Sequence, residues 1–202
     1  MARYIGPKQR LQRQIGEDLG LKTNSLKTAK KLNIRPGQHG QRMRRKISNY
    51  GVQLKEKQKV KYIYGLLEKQ MRKLFKQASR DPLATGEALL VLIERRLDNV
   101  VYRLGFAPTR AAARQLVNHN HIEVNQEKMS IPSYSVKIGD TISIKSKASK
   151  IPYFADAISD ESREVPEWLS RQSIVGKVLR LPERADIKEG INEQLIVEYY
   201  NK

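Results

Sequence analysis

The chain of 202 residues contains no cysteine. A disulfide framework, a thiolate zinc site and a cysteine nucleophile are therefore excluded, and the composition suits a reducing compartment. Aromatic residues make up only 6% of the chain, and most of them are tyrosines. No apolar run approaches the ~20 residues of a membrane-spanning helix. The first twenty residues lack the apolar core of a secretory signal, so the N-terminus is read as mature protein. Also missing are a GxxxxGK phosphate loop, a GxSxG elbow and an HExxH pair. Asp156, Asp160, Glu161 and Glu164 read as a solvated acidic stretch rather than as paired catalytic carboxylates. His119 and His121, two apart, fall on opposite faces of a strand with no third soft ligand nearby, and His39 stands alone. No metal, cofactor, small-molecule substrate or catalytic residue is expected.

What is present is positive charge, unevenly spread. The formal charge is +18. Residues 1–80 hold 22 Lys and Arg against 4 Asp and Glu, whereas residues 81–202 hold 17 of each. Solubility asks for a net charge of only ~2 to 8 in a small domain. Cations this concentrated repel one another unless a polyanion faces them, and each one that neutralises a phosphate releases counterions. Nucleic acid is the expected partner. An anionic membrane fits less well, because no large apolar face accompanies the lysines.

From Met1 to Lys46 the chain is rich in Arg, Lys, Gln and Gly, with breakers at Gly6-Pro7 and Pro36-Gly37. It reads as an extended arm with short helical pieces that orders largely on its polyanion. The densest part is PGQHGQRMRRK, Pro36 to Lys46, where two glycines permit close backbone approach; a flexible basic linker is the alternative. From Lys55 to Arg80, apolar residues at Val60, Tyr64, Leu67, Met71, Leu74 and Ala78 alternate steps of four and three, which predicts one buried helical stripe. Lys69, Arg72, Lys73, Lys76 and Arg80 form a basic ridge on the opposite side. Asp81-Pro82 ends that helix.

A further helix is expected from Thr85, with Leu90, Ile93, Leu97, Val100, Val101 and Leu104 inward, Gly105 as its C-cap, and Arg96 and Arg103 on a shared face. Thr109 then caps a short helix, Arg110 to Val117, in which Ala112, Ala113 and Leu116 pack inward while Arg110 and Arg114 point outward together beside Gln115. The arginine pair can bridge successive phosphates or be two ordinary exposed cations; replacing both by alanine is expected to weaken RNA binding and leave the fold intact. His121 to Asn125 alternates as a strand, Asn125 to Lys128 makes a turn, and Lys137 to Ile144 gives another turn and strand. A helix pair backed by a small sheet results. Ile151 to Glu167 reads as irregular, Trp168-Leu169 as an apolar anchor, and Gly176 to Leu181 as a strand closing at Pro182. For Asn192 to Tyr200 a helix capped by Asn192 is favoured, with a strand as its rival. Tyrosines 4, 50, 62 and 64 offer rings for stacking on bases or sugars, although Tyr64 sits at core spacing.

Several separate stretches resemble one family. ARYIGPKQRLQR, PGQHG, YGVQLKEKQKVKYIYGLLEKQ, RLDNVVYRLGFAPTRAAARQLV, the PER at Pro182 and INEQLIVEYYNK are similar to the bacterial and organellar type of small-subunit ribosomal protein S4. Taken alone, Arg96 to Ile144 resembles an RNA-binding module that also occurs in RNA-modifying enzymes. A modifying enzyme would need a catalytic domain that the flanking lengths do not supply. Generic DNA binding, the other rival, predicts equal affinity for duplex DNA at matched salt.

The resemblance implies an α+β chain in three parts: a basic N-terminal arm over 1–47, a mainly helical domain over 48–93 plus 182–202, and an inserted RNA-binding domain over 94–181, built as a helix pair on a small antiparallel sheet. It implies a non-enzymatic constituent of the small ribosomal subunit that binds its rRNA at a multi-helix junction of the 5′ domain and nucleates assembly. Neighbouring small-subunit proteins are implied partners, as is mRNA at its entrance to the subunit, with a part in translational accuracy. The expected location is the cytoplasm, on the ribosome, with an organellar ribosome left open. Expected RNA contacts are Arg3, Lys8, Arg10, Arg13, Arg35, Gln38, His39, Arg42, Arg44, Arg45 and Lys46 in the arm, the last four of these cations near mRNA. Lys55, Lys59, Lys69, Arg72, Lys73 and Lys76 follow on the helices, and Arg96, Arg103, Thr109, Arg110, Arg114, Gln115 and His119 on the module. Where some relatives begin a zinc knuckle with cysteines this chain has Gln9 and Gln12, so no zinc is expected. Ala112 replaces a frequent Glu, leaving Thr109 as the sole side-chain cap of its helix.

Overall fold

The structure is a computed structural model, and it describes every residue except 1–2, 25–28, 30–31, 41–45, 150, 161–163 and 202. The fold is α+β. Two compact units divide the chain, residues 1–88 with 190–202 in one and 89–189 in the other.

In the first unit, α1 (Lys8–Ile15) buries Leu11 and Ile15 and stops at Gly16, whose φ of 78° lies in the left-handed region that favours glycine. Helix α2 (Asn49–Ile63) starts at Ser48, whose hydroxyl accepts from the Gly51 N–H at 3.2 Å. The single stripe expected over 55–80 is in fact two helices. After α2 the chain turns at Gly65, φ 62°, and restarts as α3 (Glu68–Ala78), where the Gln70 side chain accepts from the Leu67 N–H at 3.1 Å. Val60, Tyr64, Met71 and Ala78 are buried all the same, while Leu67 and Leu74 are half-buried. The final segment is helical, α9 (Glu193–Tyr200), with Asn192 accepting from Leu195 N–H and Ile196 fully buried.

Helix α4 (Thr85–Glu94) leads into the second unit. A continuous helix was expected through Leu104, but the chain breaks at Arg95-Arg96 before α5 (Leu97–Arg103). Residues 132–136 cause the break by taking up backbone groups: Leu97 N–H donates to Tyr134 O at 2.8 Å and Val136 N–H to Arg95 O at 2.9 Å. Thr109 then caps α6 (Arg110–Asn118), accepting from Ala112 N–H at 3.2 Å. The sheet has the order β2-β1-β3-β5-β4, all antiparallel, from β1 (Ile122–Val124), β2 (Glu127–Lys128), β3 (Thr141–Ile144), β4 (Leu169–Gln172) and β5 (Val175–Val178). Asn125 and Gln126, at φ 52° and 68°, make the two-residue turn between β1 and β2. A short α7 (Ser146–Ser149) follows β3, and the stretch expected to be irregular, Ile151 to Glu167, holds α8 (Pro152–Ser159); Pro152 starts α8 and Phe154 and Ala157 are its buried residues. Leu97, Val101, Leu104, Phe106, Leu116, Ile122, Ile142 and Trp168 share one core between helices and sheet. Gly176 is required there, since a β-carbon would lie 2.5 Å from Leu104 Cδ1.

Candidate nucleic-acid interface

The cations of the first unit sort into two groups. On α3, whose apolar face is spent on Met71 and Ala78, the residues Lys69, Arg72, Lys73 and Lys76 are all exposed at helical steps of three and four. Arg72 is 72% exposed at its side chain, and its ion pair with Glu68 is a long 3.8 Å. The result is a rigid row of positive charge along one face of the helix. Arg3, Arg10, Arg35, Gln38, His39 and Lys46 are also exposed, and Lys8 and Lys55 are half-buried. Burial, and after it the nearby Arg3 and Lys22 cations, lowers the Lys8 amine from its ordinary value. Arg42, Arg44 and Arg45 lie outside the described residues.

Other cations expected at the interface point into the protein. Lys59 is buried, with its amine 2.6 Å from Glu17 and donating to Gly190 O at 2.5 Å, so it ties the N-terminal segment and the returning chain to α2. Arg13 donates to the carbonyls of Ile34 and Arg35 at 2.7 and 3.0 Å, which fastens part of the expected extended arm to α1. Sequence reasoning also missed a polar cluster: Glu68 accepts from Lys57 at 2.9 Å and from the Tyr200 hydroxyl at 3.0 Å. Burial alone would raise the Glu68 carboxyl, but Lys57 and Tyr200 hold it below its ordinary value.

The second unit changes the sequence reading most. Arg110 and Arg114 do not point outward together. Arg114 is buried and donates to Asp98 at 2.7 Å, and Arg96, also buried, donates to the same carboxylate at 2.9 Å. Arg96 therefore does not share an outer face with Arg103. Glu94, 1% exposed, accepts from Arg103 at 2.6 and 3.0 Å and from Asn99 at 2.6 Å. Glu189 takes Arg103 at 2.7 Å and Arg110 on its other oxygen, while Arg110 also donates to Asn99 at 2.9 Å and lies 4.5 Å over the Tyr102 ring. Burial by itself would raise the Glu189 carboxyl, yet the Arg110 and Arg103 guanidiniums draw it down to about 2. The physical reason is pairing: a buried cation needs a carboxylate close by, and Glu94, Asp98 and Glu189 are the residues that arrive. Local sequence could not show this for Glu189, which is 79 residues from Arg110. Thr109 is buried as a cap, and Gln115 and His119 are the module residues that stay exposed. The rings of His119 and His121 lie 6.1 Å apart.

The arrangement can therefore bind anions along α3 and the N-terminal segment, whereas the helix-pair arginines set the shape of the second unit. Among the described residues no group of three or more His, Asp or Glu side chains is placed to hold a metal, and no helix is long and apolar enough to cross a membrane. Comparison with known proteins matches residues 3–94 to the family described as "Ribosomal protein S4/S9 N-terminal domain" and residues 95–142 to the "S4 domain". A protein of Parabacteroides distasonis is 54% identical over 204 residues, all of both chains, and one of Bacteroides thetaiotaomicron is 52% identical over the same span. A protein of Chloroflexus aurantiacus is 50% identical over 208 residues, again all of both chains. Each of the three is named small ribosomal subunit protein uS4.

Proposed function

The chain belongs to the ribosomal protein S4 family, and from that premise we propose that it is a structural, non-enzymatic constituent of the small ribosomal subunit that binds rRNA. Full-length identity to small-subunit proteins is the observation that carries this reading. The exposed cations of α3 and of the N-terminal segment support it, since an A-form RNA groove wall is a surface of phosphates. In this reading Lys69, Arg72, Lys73, Lys76, Arg3, Arg10, Arg35 and Lys46 meet phosphates, Gln115 and His119 meet RNA from the second unit, and Arg96, Arg103, Arg110 and Arg114 hold that unit in shape. The finer assignments are a multi-helix junction of the 5′ domain, early docking in assembly, and neighbouring small-subunit proteins. Arg42, Arg44, Arg45 and Lys46 are assigned to the mRNA entrance. The working division is an arm over 1–47, a helical domain over 48–93 plus 182–202, and an RNA-binding insertion over 94–181, on cytoplasmic ribosomes.

Filter binding of the full chain to deproteinised small-subunit rRNA, beside duplex DNA of equal length at matched salt, tests the reading. Preference for the rRNA and co-sedimentation with small subunits through a high-salt gradient are expected. Equal affinity for the two nucleic acids with no co-sedimentation would overturn it.

A further inference from the structure

Glu94, Asp98 and Glu189 all take guanidiniums of the second unit, but Glu189 stands apart. Glu94 and Asp98 keep 1% and 6% of their side chains in water and belong to helices, Glu94 ending α4 and Asp98 in the first turn of α5. Glu189 keeps 21% and arrives on a stretch without regular structure that follows the 3-10 turn Arg184–Asp186. The residue before it, Lys188, is exposed and pairs with the equally exposed Glu164. The two arginines on Glu189 are fixed by other groups as well. Arg103 donates from Nε and Nη2 to the two oxygens of Glu94 at 3.0 and 2.6 Å. Arg110 donates from Nε to Asn99 at 2.9 Å, with its guanidinium 4.5 Å over the Tyr102 ring. Glu189 lies between them, one oxygen on Arg103 at 2.7 Å and the other on Arg110.

Two guanidiniums held in place by other groups and converging on two oxygens of one anion form a cradle that suits a phosphodiester as well as a carboxylate. We propose that Glu189 is a displaceable stand-in for an RNA phosphate: on binding, its side chain swings out and a backbone phosphate takes its place between Arg103 and Arg110. Rotation about the side chain's own torsions is enough, so Ile187, buried two residues earlier, stays where it is. Glu94 and Asp98 lie deeper and are fixed on helices, so the exchange falls to Glu189. With the phosphate bound, Glu94, Asn99 and Tyr102 still hold the two arginines, and the shape of the unit is kept. The consequence is an internal competitor. Apparent affinity is reduced by the fraction of time the cradle is closed, so an RNA must offer further contacts to open it. The inference rests on the RNA-binding reading above and adds to it a built-in check on one of the phosphate contacts.

The test measures binding of the full chain to deproteinised small-subunit rRNA for the wild type, Glu189→Gln and a control, Glu167→Gln, which removes an acid of the same unit whose side chain is 93% exposed. Glu189→Gln is expected to bind about tenfold tighter than wild type or more, the span of one charge-assisted hydrogen bond released from competition. Glu167→Gln should gain less than about twofold, as a screened surface charge does. In an Arg110→Gln background the gain from Glu189→Gln should largely disappear. A gain no larger than the control's, or one undiminished without Arg110, would overturn the inference. Should Glu189→Gln misfold by circular dichroism, carbodiimide labelling of wild-type carboxyls, read by mass spectrometry, decides: rRNA should raise the modification of Glu189, and unchanged or reduced labelling refutes the exchange. Inorganic pyrophosphate run alongside separates the sources of phosphate, because a rise with pyrophosphate and none with rRNA would give the cradle to a free anion and overturn its RNA occupant. Failure of the wild type to bind rRNA removes the proposed function itself, whereas rRNA binding with equal gains for Glu189→Gln and the control removes only the exchange.

Discussion

Asp98 receives two guanidiniums, Arg96 and Arg114, and all three residues are almost out of water. Removing Arg114 leaves Asp98 to Arg96 alone, takes away a charge-assisted hydrogen bond and opens a void where the long side chain packed. Arg114→Ala is expected to lower the unfolding free energy by about 2 kcal/mol or more. Gln115→Ala, one residue on and exposed, should change it by less than ~0.5 kcal/mol. Urea denaturation of both variants checks this, and equal midpoints would refute it. The expectation that Arg110 and Arg114 could be replaced without harm to the fold is thereby reversed. Glu189 gives a pH signature. With its folded pKa held at about 2, below the ordinary 4.5, it contributes stability that is complete above pH 4.5 and is lost as pH falls toward 2. The contribution is on the order of 3 kcal/mol. Thermal unfolding from pH 7 down to pH 2.5 should show a shallower acid loss for Glu189→Gln than for the wild type, starting from a lower value at pH 7.

At the scale of elements, legibility followed the range of the interaction that sets each boundary. The caps at Thr109 and Asn192 act over three residues, and both stood in the sequence as they stand in the fold. The breaks at Gly65 and at Arg95-Arg96 did not, because apolar steps of three and four run on across them. The second break depends on residues 132–136, some forty positions away, offering strand-like partners. Helix α8 was hidden for a similar reason: it is only two turns long, and the core that buries Phe154 is assembled from elements elsewhere in the chain. The ridge on α3 was legible for Lys69, Arg72, Lys73 and Lys76, since exposed charge needs only the helix to place it, while Arg80 falls past the end of the helix at Ala78. Replacing Lys69, Arg72, Lys73 and Lys76 together by Gln should therefore leave the fold in place and reduce the slope of log affinity for rRNA against log salt by roughly 3, at ~0.7 to 0.9 per phosphate contact. Binding titrations at several salt concentrations measure that slope, and an unchanged value would exclude α3 from the interface.

Across the whole molecule the lopsided charge has two effects of opposite sign in salt. The free chain carries its +18 within the first 80 residues, so screening should relieve repulsion and raise its melting temperature between 0.05 and 0.5 M salt, while the same change weakens RNA binding. Calorimetry of the free protein beside binding at each salt checks the pair of trends; a melting temperature that falls with salt would mean attractive pairs outweigh the repulsion. Composition and short-range pattern were enough to determine the α+β class, the polyanionic partner, the helix caps and the basic face of α3, because net charge, local hydrogen bonds and helical periodicity are properties of neighbours along the chain. Which cations stay exposed and which are enclosed was decided only by the tertiary structure. Lys59, Arg96, Arg103, Arg110 and Arg114 look like the other basic residues in sequence, and only folding brings Glu17, Glu94, Asp98 and Glu189 within 3 Å of them. Once enclosed and short of water, a cation keeps its charge only with a carboxylate close by, so its donors are spent inside the fold rather than presented on the surface.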